Sequence, residues 1–287
     1  EIGPDRDPEL FWATAGGMGL TGVIVDATFA CPRIGSSQLL VDTDRAPDLD
    51  AVMHLMATGD HAYDYSVAWI DLMASGRSLG RSVLTRGRFA TADEATDGHD
   101  TWPFEYRAGV LASAPPVVPP GLLNRLSVKA FNELWFRKAP VRRRDELQSI
   151  PTFFHPLDMV GGWNRLYGPA GFVQWQFVIP PGTDDVLRRI VGDLSAARCT
   201  SFLAVLKRFG PGNPGPLSFP AEGWTLALDI PAGVPGLAPL LDRLDREVAA
   251  AGGRIYLAKD ARMAPELLDD MYPRLDAWRA VRQRVDP

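Results

Sequence analysis

Residues 16 to 22 read Gly-Gly-Met-Gly-Leu-Thr-Gly, four glycines in seven positions. Side chains are so sparse here that backbone N–H groups can approach a phosphate or a ring edge. Gly17, Gly19 and Gly22 match G-x-G-x-x-G, yet a helical pattern precedes them and a strand pattern follows. A Rossmann turn needs the opposite order, so that reading is rejected. Two readings remain: a tight turn joining helix to strand, and a backbone cradle for a ligand. Four glycines exceed what a turn needs, which favours the cradle. The cations form a second constellation. The chain has 26 Arg and four Lys, namely Lys129, Lys138, Lys207 and Lys259. GC-rich codon usage explains the bias in general, and it makes each Lys conspicuous. Lys207 and Lys259 each end an apolar run, where a strand-end Lys can simply snorkel to solvent. Gln174 and Gln176 are two apart and share one face of a strand. A polar pair in so apolar a strand must hydrogen-bond something. His155 has the chemistry of a general base, but beside Pro156 a packing role is at least as good, so it stands as a candidate pocket residue.

These residues need a scaffold, and the composition supplies a globular one. The chain has 287 residues, a net charge of −5 and 46% hydrophobic residues. That suits one or two domains with a sizeable core and argues against a general nucleic-acid binder. The 27 Gly and 25 Pro follow no period, which excludes collagen and indicates many turns. No apolar run is long enough to cross a membrane, while surface association stays open. The chain opens at Glu1 with what reads as the interior of a domain, so a fragment or processed product is expected. Cys31 and Cys199 sit in no C-x-x-C and read as buried free thiols. His54, His61, His99 and His155 are scattered, so no metal site is expected.

Periodicity predicts helices at 8–15, 48–57, 124–132, 184–197 and 237–251, then two more split at Pro273. Strands are predicted at 23–29, 63–72, 82–89, 133–137, 172–179, 201–209, 224–230 and 255–258. Residues 112–120 and 211–220 read as Pro-rich loops. Along 224–230, Trp224, Leu226 and Leu228 share one face, and Thr225, Ala227 and Asp229 the other. The fold class is α+β, a sheet layered by helices.

Residues 10–23, Leu-Phe-Trp-Ala-Thr-Ala-Gly-Gly-Met-Gly-Leu-Thr-Gly-Val, resemble the closing segment of the FAD-binding domain in vanillyl-alcohol-oxidase/p-cresol-methylhydroxylase (PCMH)-type flavoproteins. Further motifs narrow the resemblance: Phe153-Phe154-His155-Pro156-Leu157, Gln174-Trp175-Gln176, Lys207-Arg208-Phe209-Gly210, Ala258-Lys259-Asp260 and Met271-Tyr272-Pro273-Arg274. Together they are similar to the decaprenylphosphoryl-ribose 2-oxidase family, over nearly the whole chain and most weakly across 90–114. The resemblance implies the tail of a PCMH-type FAD-binding domain at 1–35, a substrate domain with an antiparallel sheet covered by helices at 36–253, and a return to the FAD domain at 254–287.

It also implies FAD as cofactor, held by Gly16, Gly17, Gly19, Leu20, Thr21, Gly22, Val23, Tyr256, Ala258 and Lys259. Lys259 would be the catalytic cation, stabilising charge on the reduced flavin or polarising a sugar hydroxyl. Trp69, Phe154, His155, Leu157, Gln174, Gln176, Lys207, Phe209, Thr225 and Ala227 would line the substrate pocket. Ala227 stands where family members carry Cys, and Phe154 where many carry Tyr. The implied reaction oxidises the C2 hydroxyl of a polyprenylphosphoryl-ribose for arabinan synthesis, with a separate NAD(P)-dependent reductase completing the epimerisation. The implied place is cytoplasmic or periplasmic with peripheral membrane contact and no nucleic acid. The run Arg142-Arg143-Arg144 reads as solvated charge, with an anionic-lipid contact as the lesser reading. Two rivals stay open: an aldonolactone or sugar-alcohol oxidase of the same superfamily, such as a D-arabinono-1,4-lactone oxidase, and a flavin-free binding fragment without turnover.

Overall fold

The computed structural model describes residues 1–96, 102–110, 112–115 and 124–285. Helix α1 (Pro8–Thr14) begins where the Asp7 carboxylate accepts from the Leu10 N–H. Strand β1 (Gln38–Ala46), helix α2 (Leu49–Gly59), strands β2 (Tyr65–Ile70) and β3 (Ser82–Phe89) and the short α3 (Ala92–Thr96) follow. Next come β4 (Ala112–Ser113), α4 (Arg125–Lys138), β5 (Arg142–Ser149), α5 (Ile150–Phe154) and β6 (Val160–Gly161). The chain then runs through β7 (Phe172–Ile179), α6 (Asp184–Ala196), β8 (Ala204–Phe209), β9 (Gly223–Pro231), α7 (Leu237–Ala250), β10 (Arg254–Ile255), α8 (Leu267–Met271) and α9 (Leu275–Val285).

Eight strands form one sheet in the order β10-β7-β9-β8-β2-β3-β1-β5, every neighbouring pair antiparallel, and β4 pairs with β6 in parallel beside it. The period of two assigns the faces. Trp175, Phe177 and Ile179 of β7, Leu226, Leu228 and Ile230 of β9, and Ala204 and Leu206 of β8 point into one core. Helices α2, α6 and α7 cover that core with Val52, Met56, Leu187, Ile190, Leu194, Leu241, Leu244 and Val248, at the spacing of a helical stripe. Each such side chain contributes roughly 1.5–3 kcal/mol by leaving water. Buried charge is paired across this layer: Asp245 of α7 accepts from Trp175 Nε1 at 2.8 Å and from Arg262 Nη1 at 2.6 Å. Helix α9 packs on α1, with Trp278 Nε1 donating to the Ala13 carbonyl. The antiparallel, helix-covered α+β architecture is therefore the one expected.

Several local expectations are corrected. Residues 23–29 form no strand and are exposed, Val23 at 91%. Their β propensity finds no partner strand among the described residues, and propensity alone does not make a sheet. Cys31, on the same stretch, is exposed, whereas Cys199 is buried as expected. Residues 133–137 are the end of α4 rather than a strand. A capping box at Asn124 starts that helix, and the Glu133–Arg137 pair at i,i+4 carries it on. Of the predicted 255–258 strand only Ile255 lies in the sheet, with Arg254 before it; Tyr256 to Lys259 turn away, the Lys259 N–H donating to the Tyr256 carbonyl. The arginine run is the start of β5, and Arg144 is tied to Asp44 at 2.7 Å and to Asp42 at 3.3 Å rather than free in solvent. Part of the predicted loop at 112–120 lies outside the described residues.

Candidate active site

The sheet face opposite the helices carries the candidate site. Its geometry follows from strand register. Gln176 stands opposite Ala227, Ala227 opposite Val205, and Val205 opposite Trp69, so one row crosses β7, β9, β8 and β2. Three strand spacings separate its ends by about 14 Å. The next row sets Thr225 between Val178 and Lys207, and Phe209 lies two residues beyond Lys207 on the same face. On the other side of the first row Gln174 stands opposite Asp229. Seven residues expected from distant stretches of sequence, Trp69, Gln174, Gln176, Lys207, Phe209, Thr225 and Ala227, thus share one face.

The polar members are bonded to one another. Gln174 Nε2 donates to Asp229 Oδ1 at 3.0 Å, and Gln176 Nε2 to Thr225 Oγ1 at 3.2 Å. Trp69 Nε1 donates to the Phe202 carbonyl at 3.0 Å. The turn that carries Tyr256 and Lys259 is clipped to β7 at two points: the Tyr256 N–H donates to the Gln176 carbonyl at 2.9 Å, and the Gln174 N–H to Asp260 Oδ2 at 2.6 Å. The Tyr256 ring stacks on Phe219 at 4.4 Å, and Phe219 meets Phe209 edge-on at 5.8 Å. Lys259 Nζ lies 6.0 Å from the centre of the Tyr256 ring.

The electrostatics follow from burial. Burial pushes the Lys207 ammonium below its ordinary value, and the nearby positive charge of Lys259 adds to the shift. Burial raises Asp229 to about 6, against the smaller opposing effects of the Gln174 hydrogen bond and of Lys259. Tyr167, from the 163–167 turn, stacks its ring on Phe172 and Phe202, and its buried hydroxyl is raised by desolvation. Asp229, Asp260, Phe219 and Tyr167 were not singled out from sequence as site residues. The alternation along 224–230 already put Asp229 on the face of Thr225 and Ala227, and that was the available signal.

The glycine turn is joined to this cluster indirectly. It packs on the 211–220 loop, where Gly215 lies close to the Trp12 and Ala15 carbonyls, and that loop also carries Phe219. Its glycines are needed by the turn itself. Gly16, Gly19 and Gly22 have positive φ, and a Cβ on Gly17 would meet the Ala13 carbonyl oxygen at 2.2 Å. Their number is therefore no excess over a turn's needs, which corrects that expectation. Thr21 Oγ1 donates to Thr14 Oγ1, and the Leu20 N–H closes the turn onto the Gly17 carbonyl. The N–H groups of Gly19 and Gly22 bond no carbonyl among the described residues, and their outer side is open. Leu20, Val23 and Ala258 are likewise exposed.

Phe154 ends the short helix α5, and His155 and Leu157 follow it. Phe154 packs edge-on against Tyr65 at 4.8 Å and near Phe89, over β2 and β3. Tyr65 is four residues from Trp69 on the same strand face, roughly 13 Å at 3.3 Å per residue. His155 is half exposed, 3.9 Å from Asp158, which describes a surface histidine rather than a placed base. Leu157 is half-buried with no ring contact to the cluster. Among the described residues no group of His, Cys, Asp and Glu is arranged to hold a metal.

No protein-family model matches the chain. It is 41% identical over 286 residues to the decaprenylphosphoryl-β-D-ribose oxidase of Mycolicibacterium smegmatis, covering 99% of this chain and 61% of that protein. It is 40% identical over 292 residues to an uncharacterized protein from the mprA 5' region of Streptomyces coelicolor, covering 99% of this chain and 78% of that one. Two solved structures share the fold over the entire chain, both from Myceliophthora thermophila C1. A VAO-type flavoprotein has a TM-score of 0.57 at 17% identity over 52% of its length, and a xylooligosaccharide oxidase, solved with xylobiose, has 0.56 at 13% over 60%. The chain thus spans about three fifths of the first relative and somewhat over half of each structural neighbour, and it belongs to the family of these two sequence relatives, built on the fold of VAO-type flavoproteins.

Proposed function

We propose that the full-length gene product is an FAD-dependent oxidoreductase that oxidises the C2 hydroxyl of a polyprenylphosphoryl-ribose to the 2-keto sugar. The observation that carries this reading is the single sheet face bearing Trp69, Gln174, Gln176, Lys207, Phe209, Thr225 and Ala227 beside the Tyr256–Lys259 turn. A phosphorylated pentose is an anion rich in hydroxyls, and this face offers two lysines, two amides and a carboxylate. The M. smegmatis relative, named for decaprenylphosphoryl-β-D-ribose, supports that substrate class.

The residues present fit a flavin. The open N–H groups of Gly19 and Gly22 and the Tyr256 ring with Lys259 offer donors, a flat aromatic surface and a cation. FAD supplies a two-electron acceptor when bound. Lys259 presents positive charge where negative charge develops, and it does so from a turn fixed to β7. Lys207, partly desolvated, attracts an anionic group more strongly than an exposed lysine would. Gln176 and Thr225 hold each other in place and orient the sugar. The domain division is part of the same reading: 1–35 and 254–287 belong with the flavin domain, and the contact of Trp278 with Ala13 supports their association.

The lipid and the partners complete the proposal. An aromatic path runs from Tyr167 through Phe202 to Phe131 and Trp135 on α4. Leu126, Leu134, Phe131 and Trp135 are exposed on that helix, interleaved with Arg125, Lys129, Arg137 and Lys138. A basic helix with an apolar face suits an anionic lipid surface, where a prenyl-phosphate substrate resides. No helix among the described residues is long and apolar enough to cross a membrane. A separate NAD(P)-dependent reductase would consume the 2-keto product.

The test is one spectrum of the purified full-length protein. A yellow flavin band that bleaches on addition of a short-chain prenylphosphoryl ribose is expected. Bleaching by aldonolactones instead, or a colourless protein after incubation with FAD, overturns the reading.

A further inference from the structure

Among the described residues four aspartates are almost fully buried: Asp44, Asp71, Asp229 and Asp245. Three of them are ion-paired with arginine: Asp44 with Arg86 and Arg144, Asp71 with Arg81, and Asp245 with Arg262. Asp229 has no salt-bridge partner among the described residues. It is 4% exposed and lies on the site face of β9, with Thr225 and Ala227 on the same face. Its Oδ1 accepts from Gln174 Nε2, and its Oδ2 is buried with no hydrogen-bond partner. The hydroxyl of Tyr167, also buried and unpartnered, feels the field of Asp229. A buried carboxylate oxygen left without a donor is costly, and such groups persist where a ligand supplies the missing donor.

We propose that Asp229 is the proton acceptor for the substrate's reacting hydroxyl, with Oδ2 taking the proton and Gln174 holding Oδ1. This rests on the oxidation proposed above. The carbinol O–H bond breaks and its proton passes to Oδ2. The C–H hydrogen leaves with its electron pair to the oxidised flavin, which is reduced, and the carbon becomes a ketone. Asp229 then returns its proton to solvent. The groups facing it are Gln174 from β7, Lys259 and Asp260 from the turn after β10, and Tyr167 from the 163–167 turn. Lys207 lies two cross-strand pairs away. The field of Lys259 favours the ionised form, while burial and Asp260 favour the protonated form. The balance gives a base that is ionised at neutral pH yet far stronger than an exposed aspartate.

The experiment uses the full-length protein with FAD and a short-chain prenylphosphoryl ribose, comparing wild type with Asp229→Asn and Asp229→Glu. Wild-type kcat/KM is expected to fall with one proton below about pH 6. Asp229→Asn is expected to lose about 10²–10⁴-fold in kcat with the flavin band intact, to change KM far less, and to lack the acid limb. Asp229→Glu should recover part of the rate. Infrared difference spectra should show a carboxyl stretch that titrates near the same pH and vanishes in the Asn variant. Asn turnover within threefold of wild type, an unchanged acid limb, or no titrating carboxyl overturns the role. A wild type that is inert on this substrate overturns the oxidation reading, and this role with it, and is recognised because wild type and variant are then alike.

Discussion

The same aspartate makes a prediction about stability that needs neither substrate nor turnover. Asp229 is raised from 3.8 to about 6 by burial, so the folded protein binds its proton more tightly than the unfolded chain does. Between those values folding takes up a proton, and stability falls as pH rises. Below 3.8 both states are protonated and nothing is lost; above about pH 6 the full penalty is in force. A difference of about two pK units corresponds to roughly 3 kcal/mol, with about half of it present near pH 5. Asp229→Asn keeps an acceptor for Gln174 and removes the charge, so it should stabilise the fold by up to about 3 kcal/mol at about pH 8. Urea melts of wild type and variant at several pH values measure this through the shift in midpoint at constant slope. The stabilisation should grow from about pH 5 to about pH 7 and then level off. A difference that does not depend on pH, or a variant less stable than wild type at alkaline pH, refutes the reasoning. Loss of turnover together with gain of stability is the signature of a group kept for function.

Other consequences are testable separately. Arg262→Ala should cost about 3–5 kcal/mol, because it leaves the buried Asp245 carboxylate without its cation. Thermal melts check this, and a loss below about 1 kcal/mol would show the pair to be unimportant. With Cys31, the exposed thiol, changed to Ser, the protein should resist iodoacetamide, since Cys199 is buried and raised to about 11. Adding Ala227→Cys should then create one labelled site on the candidate pocket, read by mass spectrometry; no labelling there would mean that the face is closed. Lys129→Gln with Lys138→Gln should weaken binding to phosphatidylserine vesicles by about 2 kcal/mol, roughly thirtyfold, and Leu134→Glu with Trp135→Glu should abolish it. Unchanged co-sedimentation of both double variants would dismiss α4 as the lipid contact.

The sheet was legible in sequence because alternation is a local signal. Trp224, Leu226 and Leu228 against Thr225, Ala227 and Asp229 read correctly, and so did Gln174 with Gln176. Strand β1 was missed, since Asp42, Asp44 and Arg45 interrupt its apolar pattern; there the structure pairs the acids with Arg86 and Arg144 instead of exposing them. Residues 23–29 read as a strand from their composition but have no neighbour to bond. Segment 133–137 failed in the opposite direction, because a helix already started at Asn124 ran on through a β-favouring stretch.

The candidate site divides along the same line. Residue types and family motifs named Lys207, Lys259, Gln174 and Gln176 without any coordinates. They could not tell that Phe154 packs on Tyr65 and Phe89, or that the glycines of 16–22 are needed by their own turn. They also passed over Asp229, although the alternation along 224–230 put it on the face of Thr225 and Ala227. Burial and the lack of a cation are properties of its neighbours from β7, the turn after β10 and the 163–167 segment, which are far apart in the chain. Sequence by itself determined which reactive residue types the chain carries and, along β7 and β9, on which side of the strand they lie. Tertiary structure decided which of those groups meet and which carboxylate lost its water, because desolvation and charge pairing are set by contacts between distant segments rather than by the residues that undergo them.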